Sequence, residues 1–285
     1  MLYLEIDANI NVVCLRFNMI LNIHNSIEEI DERFWDSIIP SNEIIKTHRF
    51  LKAVEHSNIN GCEYYYLLFH ENGNLVANAS LFVMDFFLDV IAPTPIKRIC
   101  QSLRQVFPNF LKVSLLGCGT PVATCASGVT VSEKLYFKDV LTLLTQKVLE
   151  IGKDVKADCI LFKECTQKEM EDFDMLQVMG FIKLDSLPTS FLDIHWKSFD
   201  EYLRSLKKKY RLFVKNDFAK LNNKRIKVEV CEDFGNHIDR IWQLYINVYN
   251  RAEVKFECLT PQFFKNINEY LASESRAIIV WLDKD

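Results

Sequence analysis

Slide the sequence by 213 residues and "THRFLKAVEHSNINGCEYYYLLFHEN" (47–72) falls on "TPQFFKNINEYLASESRAIIVWLDKD" (260–285) without a gap. Thr47 meets Thr260, Phe50 meets Phe263 and Lys52 meets Lys265. The apolar run Tyr65–Phe69 meets Ile278–Leu282, and His70-Glu71-Asn72 meets Asp283-Lys284-Asp285. Each copy reads as a helix, a strand and a turn. In the first copy Gly73 and a second apolar run follow. The alignment predicts one complete supersecondary unit early in the chain and the opening part of a second at its end, because a unit of this kind must stack its apolar face on something. An apolar edge strand over Arg276–Leu282 with no further hairpin partner is the expectation that follows.

Hydrophobic spacing fills in the rest. Ser26 and Glu29 suggest a capped helix over 26–38, with Ile27, Ile30, Phe34 and Ile38 on one face. A second helix is expected from Glu43 to His56. Asn72-Gly73 between the runs 62–69 and 75–83 is a hairpin signal, since both turn residues tolerate positive φ. Helices are expected near 96–106, 134–151 and 166–179, with buried strands at 111–116 and at "DCILFKE" (158–164). From Phe199 to Leu221 apolar residues recur at steps of three and four, which predicts one long helix with Leu203, Leu206, Tyr210 and Phe213 inward. A strand at 226–230 and helices near 236–250 and 261–272 complete an α+β (α/β) chain.

The chain of 285 residues is 49% hydrophobic and 25% charged, so a packed protein is expected and extended disorder is excluded. Nine cysteines occur singly, without CxxC pairs or His spacing suited to zinc, so no metal site is expected. Free thiols, the lack of a cleavable signal and the lack of an apolar run of ~20 residues imply a cytoplasmic protein without a membrane-spanning segment. Net charge is −4, with residues 197–285 carrying 17 Lys and Arg against 13 Asp and Glu. That excess lies mainly in Lys207, Lys208, Lys209, Arg211 and their neighbours, a stripe suited to phosphate groups and other polyanions.

The order helix, helix, hairpin, strand, glycine loop, helix, strand, helix, closing in "LQVMGF" (176–181), resembles the GNAT N-acyltransferase fold. With "SIEEIDERFWDSI", "RFLKAVEHS", "GNLVANASLFV" and "SFDEYLRSLKKKYR", the chain from about residue 21 resembles the FemAB-like branch of that superfamily, labelled peptidoglycan biosynthesis or recognition. The resemblance implies a mixed central sheet flanked by helices and two GNAT-like units in tandem, the first over 1–195 and the second, incomplete, over 196–285. It implies transfer of an acyl or aminoacyl group to an amine carried by a small molecule or lipid, from acyl-CoA as co-substrate or from an aminoacyl-tRNA. It places the donor at the glycine loop "GCGTPVATCASGV" (117–129), where Gly117, Gly119 and Gly128 permit close backbone approach.

The usual Gln/Arg-x-x-Gly-x-Gly/Ala spacing is missing from that loop, and Pro121 removes a donor. Glu164, at the end of its strand, is the candidate base, Tyr136 the candidate proton donor, and Cys165 a weaker candidate nucleophile. His70, beside the hairpin turn, is expected to be exposed. The basic helix also suits peripheral membrane contact. The irregular loop equally fits a different class of protein: a non-catalytic module of the same fold that binds a lipid, a cell-wall precursor or a protein.

Overall fold

The computed structural model describes residues 2–5, 18–122, 124–167, 169–186, 190, 192–222, 226–255 and 257–282. The turn residues at 283–285, matched above to 70–72, lie outside them. The elements run β1 (Leu2–Glu5), β2 (Ile20–His24), α1 (Glu32–Asp36), α2 (His48–Glu55), β3 (Glu63–Glu71), β4 (Asn74–Phe87), α3 (Thr94–Arg104), β5 (Lys112–Cys118), β6 (Val129–Val131) and α4 (Phe137–Asp154). They continue with β7 (Cys159–Phe162), α5 (Met170–Phe173), α6 (Met175–Val178), β8 (Ile182–Leu184), α7 (Phe199–Ser205) and α8 (Lys208–Asn222). The last are β9 (Ile226–Cys231), α9 (Ile238–Arg251), α10 (Pro261–Tyr270) and β10 (Ala277–Leu282).

A mixed sheet takes the order β2-β3-β4-β5-β7-β1-β8, and β6 pairs separately with β4. Asn72 and Gly73 both hold positive φ, at 50° and 81°, and close the β3–β4 hairpin as the Asn-Gly pair predicts. Within this sheet β5 and β7 are parallel, from Leu115 beside Cys159 to Cys118 beside Phe162, and the other pairings are antiparallel. A parallel pair needs a long crossover, and α4 supplies it. On one face Leu67, Phe69, Leu81, Leu116 and Phe162 are buried with Val140, Leu141, Leu144 and Val148 of α4. On the other, Tyr64, Tyr66 and Leu68 pack with Trp35 and with Phe50, Leu51 and Val54 of α2.

Four expected helices are broken, one of them over 43–56, where Thr47 is extended and caps α2. Over 26–38, Ile30 is extended, and Asp31 starts a new helix by accepting from the Phe34 N–H. The 166–179 region is two short helices meeting at Asp174. The 199–221 helix breaks at Leu206, where ψ is 144°. Leu203 is buried as expected, but Tyr210 and Phe213 are each 56% exposed. Their helical spacing defines an apolar face on α8; among the described residues the packing that would cover it is not present.

β9 and β10 form a separate antiparallel pair. The order β9-α9-α10-β10 parallels β2-α1-α2-β3. Thr47 and Thr260 each cap their helix by accepting from the N–H of Phe50 and Phe263. The helices α2 and α10 pack on each other in opposite directions. Arg49 Nη1, near the start of α2, donates to Tyr270 O; Thr260, before α10, donates its hydroxyl to Ser57 O at 2.7 Å. Midway, the buried Asn266 Nδ2 donates to Ala53 O at 3.2 Å and Ser57 Oγ at 3.0 Å. Asn266 and Ala53 are themselves aligned by the 213-residue offset.

Candidate functional site

The carboxyl ends of parallel strands are where open α/β sheets place their ligands. Here the chain leaves β5 at Cys118, makes an excursion over 119–128, and returns as β6 along the same edge of β4. Ser80 of β4 closes the neck. Its carbonyl accepts from Gly119 N at 2.9 Å, and its N–H donates to Gly128 O at 3.0 Å. Gly119 has φ of 133°, and a side chain on Gly128 would put its Cβ 2.3 Å from Gly119 N. The two glycines are therefore needed where the neck pinches. Gly117 sits within β5, where a Cβ would meet the Phe82 ring at 2.4 Å. A compact surface loop with pinned ends is a common carrier of function.

Two side chains that follow β7 strap this loop. Lys163 Nζ donates to Thr120 O at 2.9 Å and lies 3.4 Å from Glu164 Oε1. Glu164 Oε2 accepts from Thr124 N at 2.8 Å and from Thr124 Oγ1 at 3.0 Å. Glu164 is non-glycine at φ +59°, a conformation that costs about 1–2 kcal/mol and is held only when its surroundings demand it. A second carboxylate, Glu169, accepts from Ser127 Oγ at 2.6 Å and from Thr166 N and Oγ1, both at 2.8 Å. Sequence reasoning passed over Glu169, though Thr166-x-x-Glu169 has capping-box spacing.

A narrow recess, with room for about one water, lies under the loop, lined by Trp35, Lys46, Asn78, Ser80, Thr124 and Thr130 among others. Lys46 was not singled out by the sequence. Its ammonium, mostly buried, donates to Val129 O at 3.1 Å and pairs with Glu43 at 2.8 Å. The site thus offers two mostly buried cations, Lys46 and Lys163, and two carboxylates, Glu164 and Glu169, around a glycine-necked loop.

The other expected residues stand elsewhere or are engaged. Tyr136 precedes α4 and donates its hydroxyl to Glu71 at 2.8 Å; that bond to a carboxylate is the main reason its pKa is raised. Burial pushes the Cys165 thiol up to about 12, which leaves it protonated at neutral pH. His70 is half-buried and stacks on Phe34, and its pKa is lowered first by desolvation. Lys207, Lys208 and Lys209 are exposed at the α7–α8 break, and Arg211 is half-buried beside them. Among the described residues no group of three His, Cys, Asp or Glu side chains is placed to hold a metal ion, and no helix is long and apolar enough to cross a membrane.

Residues 110–284 match the family model FemAB-like, described as peptidoglycan biosynthesis/recognition. The chain belongs to the FemAB-like family. The matched span takes in the 119–128 loop, both strapping residues, the basic helix and the β9–β10 segment, and starts after the β3–β4 hairpin. No curated protein and no solved structure matches the chain.

Proposed function

We propose that this FemAB-like protein is an N-acyltransferase that passes an acyl or aminoacyl group from a CoA thioester or an aminoacyl-tRNA to an amine of a peptidoglycan-related acceptor. The observation that carries the reading is the glycine-necked loop at the carboxyl ends of the parallel β5–β7 pair, in a family devoted to peptidoglycan. A central parallel pair joined by a crossover helix is the place a GNAT-like unit gives to its acyl donor. The equivalent elements, matched Thr caps and antiparallel packing of α2 and α10 support two GNAT-like units in tandem, over 1–195 and 196–285.

In the reaction the amine nitrogen attacks the donor carbonyl carbon, the bond to sulfur or to the ribose oxygen breaks, and the amine loses a proton. Glu164 is the proposed acceptor of that proton, directly or through water. Donor phosphates would sit against the loop whose path Gly117, Gly119 and Gly128 shape, and Lys163 would balance their charge. Tyr136 would return a proton to the leaving group once released from Glu71. Lys207, Lys208, Lys209 and Arg211 would hold phosphates of CoA or tRNA.

A specific observation also favours a binding module. The Gly119 N–H is engaged by Ser80, the Thr124 N–H by Glu164, and Pro121 has no N–H to offer. A donor must therefore displace the Glu164 strap before it can use that edge of the loop. Glu164→Gln separates the readings. It keeps the shape of the strap but removes the base, so transfer from acetyl-CoA or aminoacyl-tRNA to amine acceptors should fall about 10²-fold or more with donor binding retained. A wild-type chain that binds acceptor and transfers nothing from either donor establishes the module.

A further inference from the structure

Outside the loop site, the most unusual surface is α3 with its flanks. The helix is amphipathic, yet Cys100 is its one buried residue. Ile96, Ile99 and Leu103 share one side at 49%, 60% and 39% exposure, and Val106 and Phe107 extend the stripe at 71% and 63%. Residues 90–113 contain Lys97, Arg98, Arg104 and Lys112 and no Asp or Glu. Arg104 pairs with Asp89, and Lys112 with Asp85 at 2.7 Å. Lys97 and Arg98 have no carboxylate partner among the described residues; the Lys97 ammonium meets Glu253 O.

The stripe is held in place. The Arg104 guanidinium pairs with Asp89, donates from Nε to Phe110 O at 3.1 Å, and lies 3.8 Å from the Phe87 ring centroid. A rigidly mounted helix that shows to solvent both an apolar stripe and Arg98 has the two features of an interfacial helix: apolar side chains for the acyl region and positive charge for anionic headgroups.

We propose that α3 and the segment to Phe107 dock this protein onto an anionic lipid surface. Ile96, Ile99, Leu103, Val106 and Phe107 enter the headgroup–acyl boundary, while the exposed Arg98 faces the headgroups. Absence of acidic residues through 90–113 chooses an anionic bilayer over a protein of mixed charge. This is a different surface from Lys207–Lys209 and holds whether or not the chain transfers acyl groups.

The test is co-sedimentation of the full chain with vesicles of phosphatidylglycerol and phosphatidylcholine, set against phosphatidylcholine alone. Binding to the anionic vesicles is expected, weakened by salt and reduced about tenfold or more by Ile99→Asp with Phe107→Asp. The replaced side chains are exposed, so the thermal transition should move little, and circular dichroism checks that it does. Lys207, Lys208 and Lys209 changed together to Glu separate the two basic surfaces. Phe107→Trp adds a depth probe: its extra fluorescence should be quenched by brominated acyl chains. Equal binding by wild type and the α3 double variant would overturn the proposal, as would absence of bromine quenching. So would a wild-type dimer in light scattering that the same double variant dissolves while vesicle binding is absent.

Discussion

The two strand–helix–helix–strand segments are built alike and finished differently. In the first, β3 pairs with β2 on one side and with β4 on the other. Its residues Leu67 and Phe69 are fully buried in the cluster that contains the α4 side chains. At the same positions of the second, 213 residues on, Val280 and Leu282 are 61% and 59% exposed. Val228, directly across from Val280, is 59% exposed, Ile226 across from Leu282 is half-buried, and Val230 faces Ile278 with both exposed. The opposite face of β10 is better protected, with Ile279 half-buried and Trp281 against His237. Similar caps and strand pairing thus arise in both places from local sequence. A covered face arises only where a second layer lies on it.

The largest expected effect tests that difference. Leu67→Ala should cost about 2–5 kcal/mol in urea denaturation, and Val280→Ala less than about 0.5 kcal/mol, because one removes packed core and the other leaves water in contact with a smaller side chain. Comparable costs would mean that the β9–β10 face is covered in solution. Next comes the contact between the segments. Asn266→Ala removes the buried amide that donates to both Ala53 O and Ser57 Oγ, and should cost about 1–3 kcal/mol. A neutral result would mean that α10 does not rest on α2.

Loss of a cap should be smaller and similar in the two segments. Thr47→Ala and Thr260→Ala are each expected to cost about 0.5–2 kcal/mol. A large effect at 47 with none at 260 would show that the second helix is not held by the same device. The smallest effect is chemical. With its thiol pushed up to about 12, Cys165 should resist alkylation in the folded protein at pH 8, while the exposed Cys125 reacts. Raising the pH toward the Cys165 value should increase its thiolate fraction and its rate; rapid modification at pH 8 would contradict its burial.

Local chemistry made much of this readable. Asn72-Gly73 announced its turn, the 213-residue offset matched Thr47 with Thr260, which both cap helices although the first helix was expected from Glu43, and Glu164 stands just past the strand "CILF" as its sequence position suggests. The unread parts depend on distant partners. The N-terminal strand Leu2–Glu5 is strand-like in sequence, but nothing local says that it inserts between β7 and β8. Helical spacing identified Tyr210 and Phe213 as an apolar face and could not say that the face is bare. Lys46 enters the recess because Val129, 83 residues away, brings its carbonyl there. The strap from Glu164 to Thr124 likewise joins residues 40 positions apart.

The most direct test of the central claim is hydrogen exchange over residues 119–128 of the full chain, with acetyl-CoA and with aminoacyl-tRNA. Donor binding at the glycine-necked loop predicts slower exchange there in the presence of one of these, together with changed exchange at Lys163 and Glu164 as the strap rearranges. Unchanged exchange across the loop with both donors, at concentrations that support transfer, would contradict it.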